Sequence, residues 1–135
     1  MLPQLEELVW HRARFACEYC FIPQAFDRLR FEADHVIAVT HGGKTIVGNL
    51  ALTCLPCNRF KGPNLSGIDP QSGRLIKLFH PRRHSWRHHF QWLGGQLAGR
   101  TAIGRTTIRV LHINDPVRSL LRAHLFAEGV LKLPE

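Results

Sequence analysis

The 135-residue sequence lacks any run of about 18 or more apolar residues, and its N-terminus has neither the basic start nor the unbroken apolar stretch of a signal peptide. It also lacks internal repeats and low-complexity segments. These absences argue against a membrane-spanning or secreted protein. We therefore expect a cytoplasmic protein with no membrane partner that folds as a single domain over residues 1–135.

Acidic residues are scarce: the chain has 10 Asp and Glu against 18 Lys and Arg, for a formal charge of +8. Residues 1–60 carry six residues of each sign, so residues 61–135, with twelve basic and four acidic residues, hold the whole surplus. A basic balance favours a polyanionic partner such as nucleic acid. An ordinary solvated basic surface is the alternative.

The four cysteines form two C-x-x-C pairs, Cys17 with Cys20 and Cys54 with Cys57. Two intervening residues let both sulfurs of a tight turn reach the same ion, and two such pairs complete a tetrahedral all-thiolate zinc site. A closed site of this kind is structural, because it leaves no coordination position for water or substrate. The 33 residues between the pairs exceed the usual spacing of about 15 to 20, which indicates an insertion.

The insertion and the second pair read "EADHVIAVTHGGKTIVGNLALTCLPCNRFKG". An Asp-His dipeptide, a Gly-Gly loop, an Asn before a short apolar strand, and a Cys pair followed by Asn and Lys-Gly occur here in order. This pattern resembles the HNH endonuclease family over residues 14–70. The tail through "GRTTIRVLHINDPVR" is similar to the extension of one bacterial HNH subgroup.

The resemblance implies an α+β fold with a ββα-metal core of two antiparallel strands and a helix, and a separate structural zinc. After this core we expect a basic C-terminal extension over residues 71–135, built from a strand, a hairpin and a helix. The implied activity is metal-dependent hydrolysis of phosphodiester bonds, in DNA as the expected substrate, giving 5′-phosphate and 3′-hydroxyl ends.

The resemblance also assigns the site residues. His35 is the general base, a role that suits an imidazole near neutral pH, and Asn49 orients it. Asp34 and Asn58 hold one catalytic divalent cation. The third family position, a histidine in the family's name, is Asn58 here, and a neutral amide oxygen favours Mg²⁺ or Mn²⁺.

Five basic residues are candidates for contacts to phosphate: Arg59, Lys61, Arg82, Arg83 and Arg87. The last three lie in "PRRHSWRHHFQW", where Trp86, Phe90 and Trp92 are either stacking platforms for bases or core residues of a hairpin. We expect at least two of these aromatics to be core.

Apolar periodicity and capping residues predict the elements. In residues 1–60 we expect a helix in "PQLEELVWHRARFA" that ends near Phe15, strands in "RLRFEADHVIAVT" and "LALTC", and a brief helix past Cys57. Later elements are a strand in "GRLIKLF", a hairpin turning at Gly94-Gly95, and a helix in "TAIGRTTIRVLHI" for which strand is the alternative. The last element is a helix from Asp115 to Gly129, with Val117, Leu120, Leu121 and His124 on one face.

Two other functions remain open at this point. A zinc-stabilised nucleic-acid-binding module without catalysis would bind DNA in a salt-sensitive way without turnover. A protein-interaction domain with an incidental basic surface would not bind DNA. The Asp34-His35 pair weighs against the first, and the charge surplus after residue 60 weighs against the second.

Overall fold

The computed structural model describes residues 1–131, which are α+β as predicted. Contacts divide the chain into two compact units, Met1–Pro63 and the residues from Asn64 onward. The division comes earlier than the boundary near residue 70 expected from the sequence, and the single domain over residues 1–135 stays a prediction. In chain order the elements are α1 (Pro3–Arg12), β1 (Glu32–His35), β2 (Leu50–Thr53), α2 (Leu55–Lys61), β3 (Ser66–Ile68), β4 (Leu75–Lys77), α3 (Trp86–His89), β5 (Phe90–Leu93), β6 (Gln96–Gly99), α4 (Ala102–Val110) and α5 (Pro116–Ala127).

The first unit contains the predicted ββα arrangement. Strands β1 and β2 pair antiparallel, with Asp34 opposite Ala51 and His35 opposite Leu50. Strand β2 is buried along its whole length, whereas β1 is exposed or half-buried. Helix α2 follows β2 after a single residue, Cys54, which serves as its N-cap. The core of this unit therefore lies against β2.

Helix α1 ends at Arg12, three residues before the predicted end. Arg14 and Phe15 both adopt positive φ, 55° and 60°, a conformation that cannot continue a right-handed helix. The Arg12 guanidinium donates to the backbone oxygens of Val47 and Leu50 at 3.0 and 2.7 Å. Arg12 therefore ties α1 to the start of β2.

Strand β1 also ends earlier than predicted, at His35 rather than near Thr40. The Asn49 side chain takes both backbone groups of Ile37: its Oδ1 accepts from Ile37 N at 2.9 Å, and its Nδ2 donates to Ile37 O at 3.0 Å. An amide side chain thus occupies the groups that a neighbouring strand would need. The rest of the connection to β2 is a loop with two short 3₁₀ turns, Val39–His41 and Val47–Asn49.

The second unit confirms most of the predicted elements. The hairpin of β5 and β6 turns at Gly94-Gly95, and "TAIGRTTIRVLHI" is helical as α4. Asp115 is the N-cap of helix α5 and its side chain accepts from Arg118 N, while Gly129 follows the C-terminus of the helix with φ of 71°. Strand β3, which pairs with β4, and the short helix α3 were not predicted.

The buried face of α5 differs from the apolar face seen in the sequence. The apolar face includes Val117 and Leu120, which are 75% and 73% exposed, whereas Arg118 and Arg122 are buried. Their guanidinium groups donate to backbone oxygens that follow the end of α4, at Leu111, His112 and Ile113. The last carbonyls of a helix lack partners within the helix, so hydrogen bonds to them favour burial of these two arginines in place of the apolar residues.

The aromatic residues of "PRRHSWRHHFQW" form part of the core of the second unit. Ring centroids of Trp86 lie 5.7 Å from both Phe90 and Trp92, and Trp92 lies 5.1 Å from Phe126. Phe90 is buried and both tryptophans are half-buried. The core interpretation is therefore confirmed for Phe90, and the two half-buried tryptophans pack against aromatic rings of the same unit. Across residues 1–131, none of the helices combines the length and apolar character needed to span a bilayer.

Candidate active site and zinc centre

The four cysteines meet in one buried cluster. The Sγ atoms of Cys17, Cys20, Cys54 and Cys57 all lie within 4.8 Å of one another, and each residue is at most 1% exposed. Cys20 Sγ and Cys54 Sγ are 3.6 Å apart. Zinc–sulfur bonds of about 2.3 Å in a tetrahedron place the sulfurs about 3.8 Å apart. The cluster is therefore compatible with the predicted zinc site.

Backbone contacts hold the two cysteine pairs in place. Glu18, inside the first pair, donates its N–H to Leu52 O at 2.9 Å and accepts from Leu52 N through its carboxylate at 2.8 Å. The first pair is thereby fixed to β2, directly before the second pair. At the second pair, Asn58 N donates to Cys54 O at 3.0 Å, which starts α2.

The chemistry of the cluster also fits a bound metal. Hydrogen bonding with Cys17, Cys20 and Cys54, together with burial, raises the pKa of the Cys57 thiol well above its usual range. Buried thiolates without a cation repel one another and are poorly solvated. A divalent ion would remove both penalties, because thiolate is the form that zinc binds.

The Asp34-His35 pair occupies the end of β1. Burial raises the pKa of the Asp34 carboxyl, and this shift is opposed by the nearby Lys61 and by a hydrogen bond from the His35 backbone. A cation bound at Asp34 would likewise favour the charged form. Within residues 1–131, the cysteine cluster is the only group of three or more His, Cys, Asp or Glu side chains able to share an ion. An ion at Asp34 would therefore have few protein ligands.

Lys61 does not lie where the sequence predicted. Its residue is only 2% exposed, and its Nζ donates to Val36 O at 2.7 Å. Burial lowers the pKa of the ammonium, and Asp34 partly offsets this. The prediction that Lys61 contacts phosphate is therefore wrong. Its buried ammonium instead stabilises the backbone after β1, by its bond to Val36 O, and the charged form of Asp34.

Asn49 is buried and makes its contacts with backbone rather than with the His35 ring. Besides both groups of Ile37, its Nδ2 donates to Lys44 O at 2.9 Å, and its own carbonyl accepts from Val36 N at 2.9 Å. These bonds join the two ends of the loop that follows β1. Asn49 therefore shapes the connection that follows His35 and makes none of its hydrogen bonds to the imidazole.

The His35 ring is instead hydrogen-bonded to Thr45, with 2.8 Å between Nε2 and Oγ1. Thr45 was not predicted as a site residue. It lies ten residues from His35 in an irregular loop, so no periodicity in the sequence links the two. Only the loop conformation set by Asn49 and its partners brings them together.

Asn58 lies on α2 beside β1. Its Nδ2 donates to Glu32 Oε2 at 3.2 Å, which leaves the amide oxygen, the atom that a cation would bind, for another partner. Glu32 was also not predicted. It precedes Asp34 by two residues, so strand alternation puts both side chains on one face, and this signal was present in the sequence.

The predicted arginines lie in different units. Arg59 is exposed on α2 of the first unit. In the second unit Arg83 and Arg87 are exposed and Arg82 is half-buried. Part of the basic surplus of residues 61–135 is used internally, since Arg118 and Arg122 are buried and Arg105 pairs with Asp69. The basic surface is thus smaller than the composition suggests.

The fold and the cysteine cluster together define a small α+β protein with a ββα core and a four-cysteine site. Residues 17–64 match the family model described as HNH endonuclease. The matched segment begins at the first cysteine and ends just past α2, so the predicted resemblance is confirmed over these residues. Searches of curated proteins and of solved structures found no match to this chain.

A family domain of this kind points to nuclease activity or to interaction with nucleic acid. The family is also consistent with binding of a divalent metal. The four clustered cysteines make zinc a suitable ion for the cysteine site.

Proposed function

We propose that this protein is a metal-dependent HNH endonuclease that hydrolyses phosphodiester bonds, with DNA as its substrate. The observation that carries the proposal is the matched segment itself, in which β1 ends in Asp34-His35 and α2 supplies Asn58. The basic surplus after residue 60 supports a polyanionic substrate.

In the proposed reaction His35 accepts a proton from the attacking water, which forms a bond to phosphorus. The bond between phosphorus and the 3′ oxygen breaks, and that oxygen takes a proton from solvent to become a 3′-hydroxyl, so the phosphate stays on the 5′ end. Asp34 and Asn58 hold a Mg²⁺ or Mn²⁺ ion, which when bound would offset the charge that develops on the phosphate oxygens.

The remaining residues have supporting roles in the proposal. The cysteine cluster, with zinc, fixes the start of α2 and hence Asn58. Arg59, Arg82, Arg83 and Arg87 contact backbone phosphates and so contribute affinity without reading sequence.

The test is cleavage of supercoiled plasmid at low salt with Mg²⁺, Mn²⁺ or EDTA. We expect metal-dependent nicking or linearisation, and a loss of at least about 100-fold in His35→Ala. His41→Ala is the matched control, because His41 is an exposed histidine of the same connection. It should keep the wild-type rate within a few-fold. Zinc content is measured in each variant to show that the fold is intact.

Two results would contradict the proposal. If His35→Ala and wild type cleave equally, the activity does not belong to this site. If the wild type binds plasmid in a salt-dependent way but leaves it and single strands intact, the protein is a binding module without catalysis. For the arginines, Arg83→Ala should lower the slope of log affinity against log salt by about 1.

A further inference from the structure

We propose that Thr45 is a positioning residue that fixes the tautomer of His35, so that Nε2 carries the proton and Nδ1 faces the attacking water. The inference rests on the proposed function, in which His35 is the base. Its observation is the 2.8 Å separation between His35 Nε2 and Thr45 Oγ1. Within residues 1–131 this is the hydrogen bond that engages the ring.

A neutral imidazole has one N–H and one lone pair, and only the nitrogen with the lone pair can accept a proton. Nε2 is engaged by Thr45, so Nδ1 is the nitrogen left to meet water. Nδ1 serves as base only if the ring proton sits on Nε2. In that case Nε2–H donates a hydrogen bond to Thr45 Oγ1, and the hydroxyl of Thr45, an exposed residue, can donate its own hydrogen bond to solvent.

Asn49 places Thr45 through the adjacent residue. The Asn49 amide donates to Lys44 O at 2.9 Å while it also holds both backbone groups of Ile37, near the other end of the loop. Thr45 follows Lys44 directly. The buried Asn49 therefore fixes the loop backbone at Lys44, this backbone holds Thr45 in place, and the Thr45 hydroxyl orients the base. Partners of this kind fix the tautomer and ring direction of functional histidines.

The experiment compares Thr45→Val, which keeps the shape and removes the hydroxyl, with Thr45→Ser, which restores it. Thr40→Val is the matched control, because Thr40 is exposed in the same connection and makes no hydrogen bond to His35. The first readout is the ¹⁵N–¹H spectrum of the histidine side chains at about pH 8, where an unperturbed imidazole is neutral. The His35 signals are assigned by their loss in His35→Ala.

We expect the Nε2–H tautomer in wild type, Thr45→Ser and Thr40→Val, and a mixture of tautomers in Thr45→Val. The second readout is single-turnover plasmid cleavage. Thr45→Val should be slower by about 10- to 100-fold, with Thr45→Ser and Thr40→Val within a few-fold of wild type.

A wild-type Nδ1–H tautomer, or a Thr45→Val protein with unchanged tautomer and rate, would overturn the inference. Failure of the proposed function has a different signature, since the wild type would then not cleave at all. The spectrum still decides the role of Thr45 in that case: loss of the Nε2–H preference in Thr45→Val supports it, and no change refutes it.

Discussion

Three glycines in the connection between β1 and β2 provide a matched series for testing how that loop is held. Gly42 has φ of 86° and open space around an added Cβ, whereas Gly48 has open space and no positive φ. At Gly43 an added Cβ would overlap Ile37 O and lie 2.6 Å from Ile37 C and 2.9 Å from Ala38 O. Real Cβ atoms do not approach other heavy atoms closer than 3.0 Å.

The magnitude follows from what must move. Ile37 O accepts from Asn49 Nδ2 at 3.0 Å, and Gly43 N donates to Ala38 O at 3.0 Å. Gly43→Ala has to displace backbone that carries these bonds, and losing two bonds with partners left unsatisfied costs about 2–4 kcal/mol. Gly42→Ala costs about 1 kcal/mol through its left-handed conformation, and Gly48→Ala is near neutral.

Native-state hydrogen exchange at the Ile37 amide is a local assay, because this N–H donates to Asn49 Oδ1. At about 1.4 kcal/mol per tenfold, protection should fall about 30- to 1,000-fold in Gly43→Ala and about tenfold or less in Gly42→Ala. Gly48→Ala should stay within about threefold of wild type. Equal protection in Gly43→Ala and Gly48→Ala would refute the reasoning from close approach.

Three further predictions concern the metal, the buried lysine and a buried ion pair. Cys57→Ser should lose zinc to a chelator concentration that leaves wild type loaded, and with it the cooperative melting of the first unit, because one of four clustered thiolates is gone. Lys61→Met should lower the free energy of unfolding in urea by about 1–3 kcal/mol, since Val36 O loses its donor, without changing the salt dependence of DNA affinity. Asp69→Asn should lower the Tm at neutral pH. Hydrogen bonds from Arg105, chiefly, hold the pKa of the Asp69 carboxyl well below its usual value of 3.8. This stabilisation is complete above pH 3.8 and declines as pH falls from there towards the folded-state pKa, so the Tm difference should shrink in acid.

Each of these predictions has a result that contradicts it. Zinc retention by Cys57→Ser equal to wild type would mean that the cluster does not share one ion. A reduced salt slope in Lys61→Met would return Lys61 to the phosphate-binding surface. A Tm difference for Asp69→Asn that stays constant down to about pH 2 would show that the carboxylate does not depend on Arg105 for its charge.

Several features of the fold could be predicted because their determinants are close together in the chain. Two C-x-x-C pairs predict one metal cluster, since a two-residue spacing alone lets both sulfurs face the same point. The cap at Asp115 and the turn at Gly94 follow from local backbone requirements. The order strand, strand, helix was implied by the resemblance to the HNH family and is found within the matched residues 17–64.

Burial and hydrogen-bond partners could not be predicted in this way. The sequence places Lys61 among surface cations and Val117 on an apolar face, yet the lysine is buried and the valine is exposed. In both units carbonyl oxygens outside the helix of the cation decide the outcome: Val36 O binds Lys61, and oxygens after α4 bind the arginines of α5.

The sequence by itself predicted one cluster of four cysteines, because two-residue spacings bring both sulfurs of each pair to one point, and its resemblance to the HNH family implied the ββα order and the candidate site residues. Only the tertiary structure decided which atoms those residues meet. It joins Asn49 to Ile37 and Lys44, and His35 to Thr45, across a loop without periodicity. The physical reason is that a polar side chain bonds to the partner that the folded chain brings within about 3 Å, and that partner depends on the whole fold.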